Sequence, residues 1–361
     1  MPGSTNQIQT PFGTGVRTAL ALAANAAGGL SLTPTNPNIS YTGTWLSGFQ
    51  FSLYNAAVIN NAGFTSYLLS ATFDDGLQET GLLTLSLGNI QQINGAFSPT
   101  MAALTSFSAP SLINITGAST PNFALATTFS FPNLAYVNGN FNSSLASMVS
   151  LSFPSLIYVN GAFGATGASI TTLSAPNLVA MTGNFSPSLA ALTTLTLTSL
   201  TTASSCNPTM NALTTFSLPA LVTLTGTFSP VMGACTSVSV PNLATWAGGS
   251  PTFNVLTTLS FPAVVSVGNN ITITAANLVT FSFGSTLKAI IGNVTMSGMK
   301  LNQASVDGIL VSLAALDGTN GTTAWSSRTV NVSGGTSSAP SATGLAAKAT
   351  LQARLCTVTT N

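Results

Sequence analysis

The chain has 361 residues, 45% hydrophobic and only 3% charged, with a formal net charge of +1 and no histidine. So apolar and uncharged a composition excludes intrinsic disorder. The six basic residues (Arg17, Lys288, Lys300, Arg328, Lys348 and Arg354) are scattered, which excludes the clustered cations that nucleic acid requires. Without histidine there is no Ser-His catalysis and no histidine–metal site.

In chain order, residues 1–44 are rich in Gly, Pro, Asn and Thr. They read as an N-terminal arm, which either pairs with a neighbouring subunit's sheet edge or wraps on its own cap. The apolar run Ala19–Leu30 contains Asn25 and falls short of the roughly 18 residues of a spanning helix, so no membrane insertion is expected. Arg17 stands too deep for a secretory leader, and Gly13-Thr14-Gly15 is too short a glycine pattern for a nucleotide loop. Residues 45–81 alternate better (Phe49-Gln50-Phe51-Ser52-Leu53) and predict an N-terminal cap. Asp74 and Glu79, with Asp75 beside them, have two readings: a carboxylate pair for glycoside cleavage, or a solvated turn, which is the commoner use of such residues.

From Thr80 to Leu287 no Asp, Glu, Lys, Arg or His occurs, and a 22-residue unit recurs across residues 82–299. Pro110, Pro132, Pro154, Pro176, Pro219, Pro241 and Pro262 mark it, with Gly88, Thr198 and Gly284 in the same slot; two of the steps are 21. Three residues before the slot stand Leu85, Phe107, Phe129, Leu151, Leu173, Leu195, Phe216, Val238, Leu259 and Phe281. The positions two and four before it are Ser or Thr in every copy. Alternation with period two predicts a strand with its apolar side inward and hydroxyls outward. A second short strand follows the proline, as in Leu156-Ile157-Tyr158-Val159, and ends at a recurrent glycine (Gly95, Gly117, Gly139, Gly161, Gly183, Gly226, Gly248) that suits a corner with positive φ. An aromatic column comes next: Phe97, Phe141, Phe163, Phe185, Phe228. Cys206 occupies that column and Cys235 a leucine column, so both read as buried free thiols.

A fixed period of this length marks a solenoid. The expected fold is mainly β: a right-handed parallel β-solenoid of about ten 22-residue coils, with an N-terminal cap and a C-terminal α/β cap. Met148-Val-Ser-Leu-Ser-Phe-Pro-Ser-Leu-Ile-Tyr-Val-Asn-Gly-Ala-Phe163 resembles the leucine-rich-repeat-like coils of receptor L domains and of short-repeat bacterial and phage surface proteins. The chain departs from the commonest leucine-rich repeat in having Ile90, Leu112, Leu134, Leu156 and Leu178 where an asparagine ladder would run, which favours a β-helix over a horseshoe with one helix per coil.

Residues 300–361 change character. Asn302 opens a helix with Val306, Ile309, Leu310, Leu313 and Leu316 on one face, stopped at Gly318. A strand at Thr329–Ser333, a helix over 340–355 and a strand from Cys356 complete a helix–strand–helix–strand cap, similar to the closing segment of leucine-rich-repeat-like proteins in tailed phages and bacteria. Lys288 and Lys300, open in principle to a Ser–Lys pair, read as surface charges at this boundary.

One surface array stands out as a binding candidate: the outward hydroxyls Thr128/Ser130, Ser150/Ser152, Thr172/Ser174, Thr194/Thr196 and Thr215/Ser217, in columns about 7 Å apart across and about 4.8 Å along. The plain alternative is that Ser and Thr simply suit an exposed strand. No catalytic residue, metal or cofactor is expected. The neutral surface and the resemblance imply a structural virion protein of a tailed phage, a tail-fibre or appendage subunit at the virion or extracellular surface. Its expected partners are copies of itself, neighbouring structural proteins and a host-surface glycan. The alternative is a bacterial extracellular filament, surface-layer or adhesin subunit, and the least favoured is a β-helical polysaccharide-degrading enzyme, whose acid–base residues are missing.

Overall fold

The computed structural model describes residues 83–361 except 88, 89 and 94, and ahead of them the backbone of six strands: Leu20–Ala24, Leu30–Pro34, Ser40–Tyr41, Gln50–Phe51, Val58–Asn60 and Ser70–Phe73. The expectations for the remainder of the N-terminal arm and cap, and for Asp74, Asp75 and Glu79, lie outside the described residues. The chain divides into two compact units, Met1–Asn138 with Ser143–Met148, and Gly139–Asn142 with Val149–Asn361. Both are stacks of parallel β-coils, so the chain is a mainly-β parallel solenoid of about ten coils spaced about 22 residues apart.

In the first unit, Ser40–Tyr41, Val58–Asn60, Thr84–Ser86, Ser106–Ser108 and Thr128–Ser130 pair in parallel, in that order, as a first face. Gln50–Phe51, Ser70–Phe73, Gln92–Ile93, Asn114–Ile115 and Tyr136–Val137 form the second face, and Leu20–Ala24 pairs antiparallel with Leu30–Pro34. In the second unit, the first face carries Ser150–Ser152, Thr172–Ser174, Thr194–Thr196, Thr215–Ser217, Ser237–Ser239, Thr258–Phe261 and Thr280–Phe283. The second face runs from Tyr158–Val159 to Ala289–Ile290, one pair per coil. A third side is stitched by single bridges, such as Phe163↔Phe185 and Ser188↔Thr209.

The inward columns make the core. Phe141 and Phe163 stack at 5.2 Å, and Phe163 and Phe185 at 6.1 Å. Burying each phenylalanine stabilises the coil by about 1.5–3 kcal/mol. Where the column lacks its ring, neighbours fill in. Ser119 takes the slot beside Phe97, and Phe123 and Phe131 both close on Phe107, at 5.7 and 5.1 Å. Gly249 leaves a second vacancy, and Trp246 stacks on Phe261 at 5.2 Å while meeting Phe228 edge-on. Cys206, Cys235 and Cys356 are free and buried.

The corner glycines correct one expectation. Gly95 and Gly248 have positive φ, but Gly117, Gly161, Gly183 and Gly226 do not. Close stacking explains them instead: a Cβ on Gly117 would lie 2.6 Å from the carbonyl carbon of Gly95, and one on Gly183 would strike the backbone of Gly161 and Ala162. Coils stacked at about 4.8 Å leave no room for a side chain where two corners superpose.

Among the described residues two helices follow the coils: α1 (Gln303–Ala314) and α2 (Ala342–Ala353). Asn302 caps α1 by accepting from the Ser305 N–H at 2.9 Å. The Ser305 hydroxyl accepts from the Phe281 N–H at 3.0 Å, closing the last first-face strand with a side chain in place of another coil. The third side goes on through Ile271–Thr272, Val294–Thr295, Thr329–Asn331 and Thr357–Thr359.

Candidate functional site

The hydroxyl array sits on the first face. Thr128 and Ser130 lie on the first unit's last first-face strand, and the other eight named positions lie on the second unit. There the structure brings Ser150, Thr172 and Thr194 into one register column and Ser152, Ser174 and Thr196 into the next. Thr215 and Ser217 pair instead with Ser237 and Ser239. All ten side chains are partly or fully exposed, and the residues between them (Phe129, Leu151, Leu173 and Phe216) are buried, with Leu195 the half-exposed exception.

Two threonine columns one residue apart behave differently. The column just ahead of the face donates to the preceding coil: Thr171 Oγ1 to the Val149 carbonyl at 3.2 Å, Thr193 to Thr171 at 3.2 Å, and Thr236 to Thr214 at 3.2 Å. Those hydroxyls are committed to holding coils together. On the face itself, the hydroxyls of the second unit form one bond within the chain among the described residues, from Ser282 to Ser260 at 3.0 Å. The rest keep donor and acceptor capacity for solvent or a partner.

Two features escaped the sequence reading. Asn133, Asn177 and Asn242 each follow the proline slot, and their side-chain amides donate to the Pro110, Pro154 and Pro219 carbonyls at 2.7, 2.6 and 2.7 Å. The repeated Pro-Asn pair carried that signal. The second is a column on the second face of the second unit that carries exposed aliphatics, Ile157, Val179, Val222 and Val265, each 38–42% exposed, with Thr201 and Ala244 in the coils between. They directly precede the two-residue strands, so a search for strict alternation passes over them.

Chemistry elsewhere is sparse. Burial raises the Cys206 thiol well above its ordinary value and also raises the Cys235 thiol, which makes both poor nucleophiles. Asp317 is exposed, and the Thr319 hydroxyl and N–H hold its carboxyl below the usual range. Asp307 accepts from the Ser341 N–H at 2.9 Å and from its hydroxyl, tying α1 to the start of α2. Among the described residues no three His, Cys, Asp or Glu gather as metal ligands, and no helix is long and apolar enough to cross a membrane. A shallow groove of about 450 Å³ in the first unit is lined by Gln91, Ser111, Ile113 and Asn133. Compared with protein-family models, curated proteins and solved structures, the chain matches none.

Proposed function

We propose that this chain is a non-enzymatic structural protein of a phage virion, a tail-fibre or other appendage subunit that acts in assembly and host-surface attachment. The observation that carries the reading is the pairing of a coil body free of Asp, Glu, Lys, Arg and His from Thr80 to Leu287 with an outward face whose hydroxyls in the second unit, apart from the Ser282–Ser260 pair, are left uncommitted. A neutral hydroxyl lattice hydrogen-bonds to an uncharged glycan without having to desolvate ions. The exposed aliphatics Ile157, Val179, Val222 and Val265 support packing against copies of the chain or neighbouring structural proteins, since a surface near zero net charge does not repel its like. The resemblance of the coils to phage and bacterial surface repeats points the same way.

Immunogold electron microscopy of native particles, with antibody raised against the purified chain, tests the proposal. Gold is expected on a tail or appendage of the virion. Gold on cell-surface filaments would replace this reading with an extracellular filament or adhesin. Release of oligosaccharides from host capsule by the purified chain would replace it with an enzyme.

A further inference from the structure

We propose that the first face of the second unit is jointed: two one-residue deletions at corners of the solenoid create flexure points where neighbouring coils can part on the hydroxyl side while staying fastened on the other two. The inference stands apart from what the face binds.

The first-face ladder of this unit is divided into three panels. Ser150–Ser152, Thr172–Ser174 and Thr194–Thr196 form one, Thr215–Ser217 and Ser237–Ser239 the next, Thr258–Phe261 and Thr280–Phe283 the last. Three kinds of contact fail together at each joint. Within a panel, the Thr193 and Thr194 N–H groups both donate to the Thr171 carbonyl, at 2.9 and 3.0 Å, and the Ala175 N–H donates to Thr196 at 2.9 Å. Among the described residues, no such bond links 193–197 to 214–218, or 236–240 to 257–261. The threonine staples are missing at the same places: Thr193 and Thr236 donate to the preceding coil, whereas Thr214 and Thr257 do not. The core loosens there too. Leu195 and Val238, the inward side chains just before each joint, are half-exposed, while Leu151, Leu173, Phe216, Leu259 and Phe281 are buried.

The other two sides remain closed at both joints. On the second face Thr202 pairs with Thr223 and Thr245 with Ser266, and on the third side Ser188 bridges Thr209 and Val231 pairs with Thr252. A stack closed on two sides and open on one has the form of a hinge.

The sequence supplies the cause. From the second face to the third side, Ala203 reaches Cys206 in one residue fewer than Met181 takes to reach Phe185. Trp246 likewise reaches Gly249 in one fewer than Leu224 takes to Phe228. These are the coils that precede the two joints. In a three-sided coil the corner between the second and third sides lies opposite the first, so shortening that corner tilts the coil and lifts its far side from the ladder. The two 21-residue steps of the repeat are therefore mechanical features of this face.

Amide hydrogen exchange read residue by residue on the intact chain tests this. Leu197, Thr214 and Thr215 at the first joint, and Val240, Thr257 and Thr258 at the second, are expected to exchange about tenfold faster or more than Ala175, Thr193 and Thr194 within a panel. Inserting one glycine between Ser204 and Ser205 restores the corner length and should slow the first-joint amides to the panel level while leaving the second joint fast. Equal protection of joint and panel amides in the native chain would overturn the proposal. Amides that stay fast in a folded insertion variant would overturn the short corner as its cause. If the insertion does not fold, the native-chain comparison at the two joints decides.

Discussion

The coil body and the C-terminal cap of the second unit solve the same problem in opposite ways. Both must satisfy backbone groups at a strand edge. The body does so by repetition: each coil's Thr, Asn and backbone groups bond to their counterparts about 22 residues away, and no charge is used before Lys288. The cap uses parts that occur once. Ser305 meets the last first-face strand, Trp325 donates from its indole to the Gly292 carbonyl at 3.1 Å, and the Ser337 hydroxyl accepts from Leu301 and donates to Met299. A repeated contact can be lost from one coil and kept in its neighbours, whereas a single-use contact has no understudy. Stability in this unit should therefore fall hardest from cap substitutions, and the consequences there should be least local.

The largest effect that would test this contrast is at Trp325, which is fully buried in the cap. Trp325→Ala is expected to cost about 3–5 kcal/mol in urea unfolding, with loss of exchange protection spreading into the coil that contains Gly292. Loss confined to residues 323–327 would show that the cap is not a cooperative part of the stack. Next is Gly183→Ala at a body corner, where the new methyl meets the backbone of Gly161 and Ala162. A cost of about 1–3 kcal/mol is expected, and a neutral result would remove close stacking as the reason for the glycine. A smaller effect separates the two threonine columns. Thr193→Val removes a bond to the Thr171 carbonyl and should cost about 0.5–1.5 kcal/mol, whereas Thr214→Val, which breaks no such bond, should leave the urea midpoint unmoved.

The smallest effect is a pH dependence in the cap. Asp317 is held below its ordinary value by the Thr319 hydroxyl and N–H, so its folded form favours the ionised carboxylate. Its contribution is present above the unfolded carboxylate value, near 3.9, and is lost as pH falls through the lower folded value. Asp317→Asn should therefore flatten the acid limb of the stability–pH curve slightly and leave stability unchanged in its dependence on pH between 6 and 8. A changed slope at neutral pH would contradict this assignment.

The sequence carried the coil body in columns, because period-two alternation inside a 22-residue repeat has few other solutions. Leu151, Ser150 and Ser152 were assigned to their faces by spacing alone, and the structure places them there. What spacing could not carry was any feature that depends on the distance between coils. Gly183 read as a φ requirement because its steric reason lies a full coil away, at Gly161. The strands Ser40–Tyr41 and Val58–Asn60 join the first-face ladder at offsets that depart from 22, so periodicity does not reveal them. In the hydroxyl array, outward placement was legible from Ser and Thr. The division between Thr196 and Thr215 was not, because one missing residue at Ser204–Ser205 acts on the opposite side of the coil.

The register of neighbouring coils is the claim on which the faces, the staples and the joints all depend, and paired cysteines test it directly. Thr172 and Thr194 are register partners on adjacent strands, about 4.8 Å apart, within disulfide reach. Ser150 and Thr194 are two coils apart, at roughly 9.6 Å, beyond it. The double substitution Thr172→Cys with Thr194→Cys should cross-link on mild oxidation and Ser150→Cys with Thr194→Cys should not, as read by mass spectrometry of peptides from the folded chain. Cross-linking of the second pair in preference to the first would contradict the stacked-coil register.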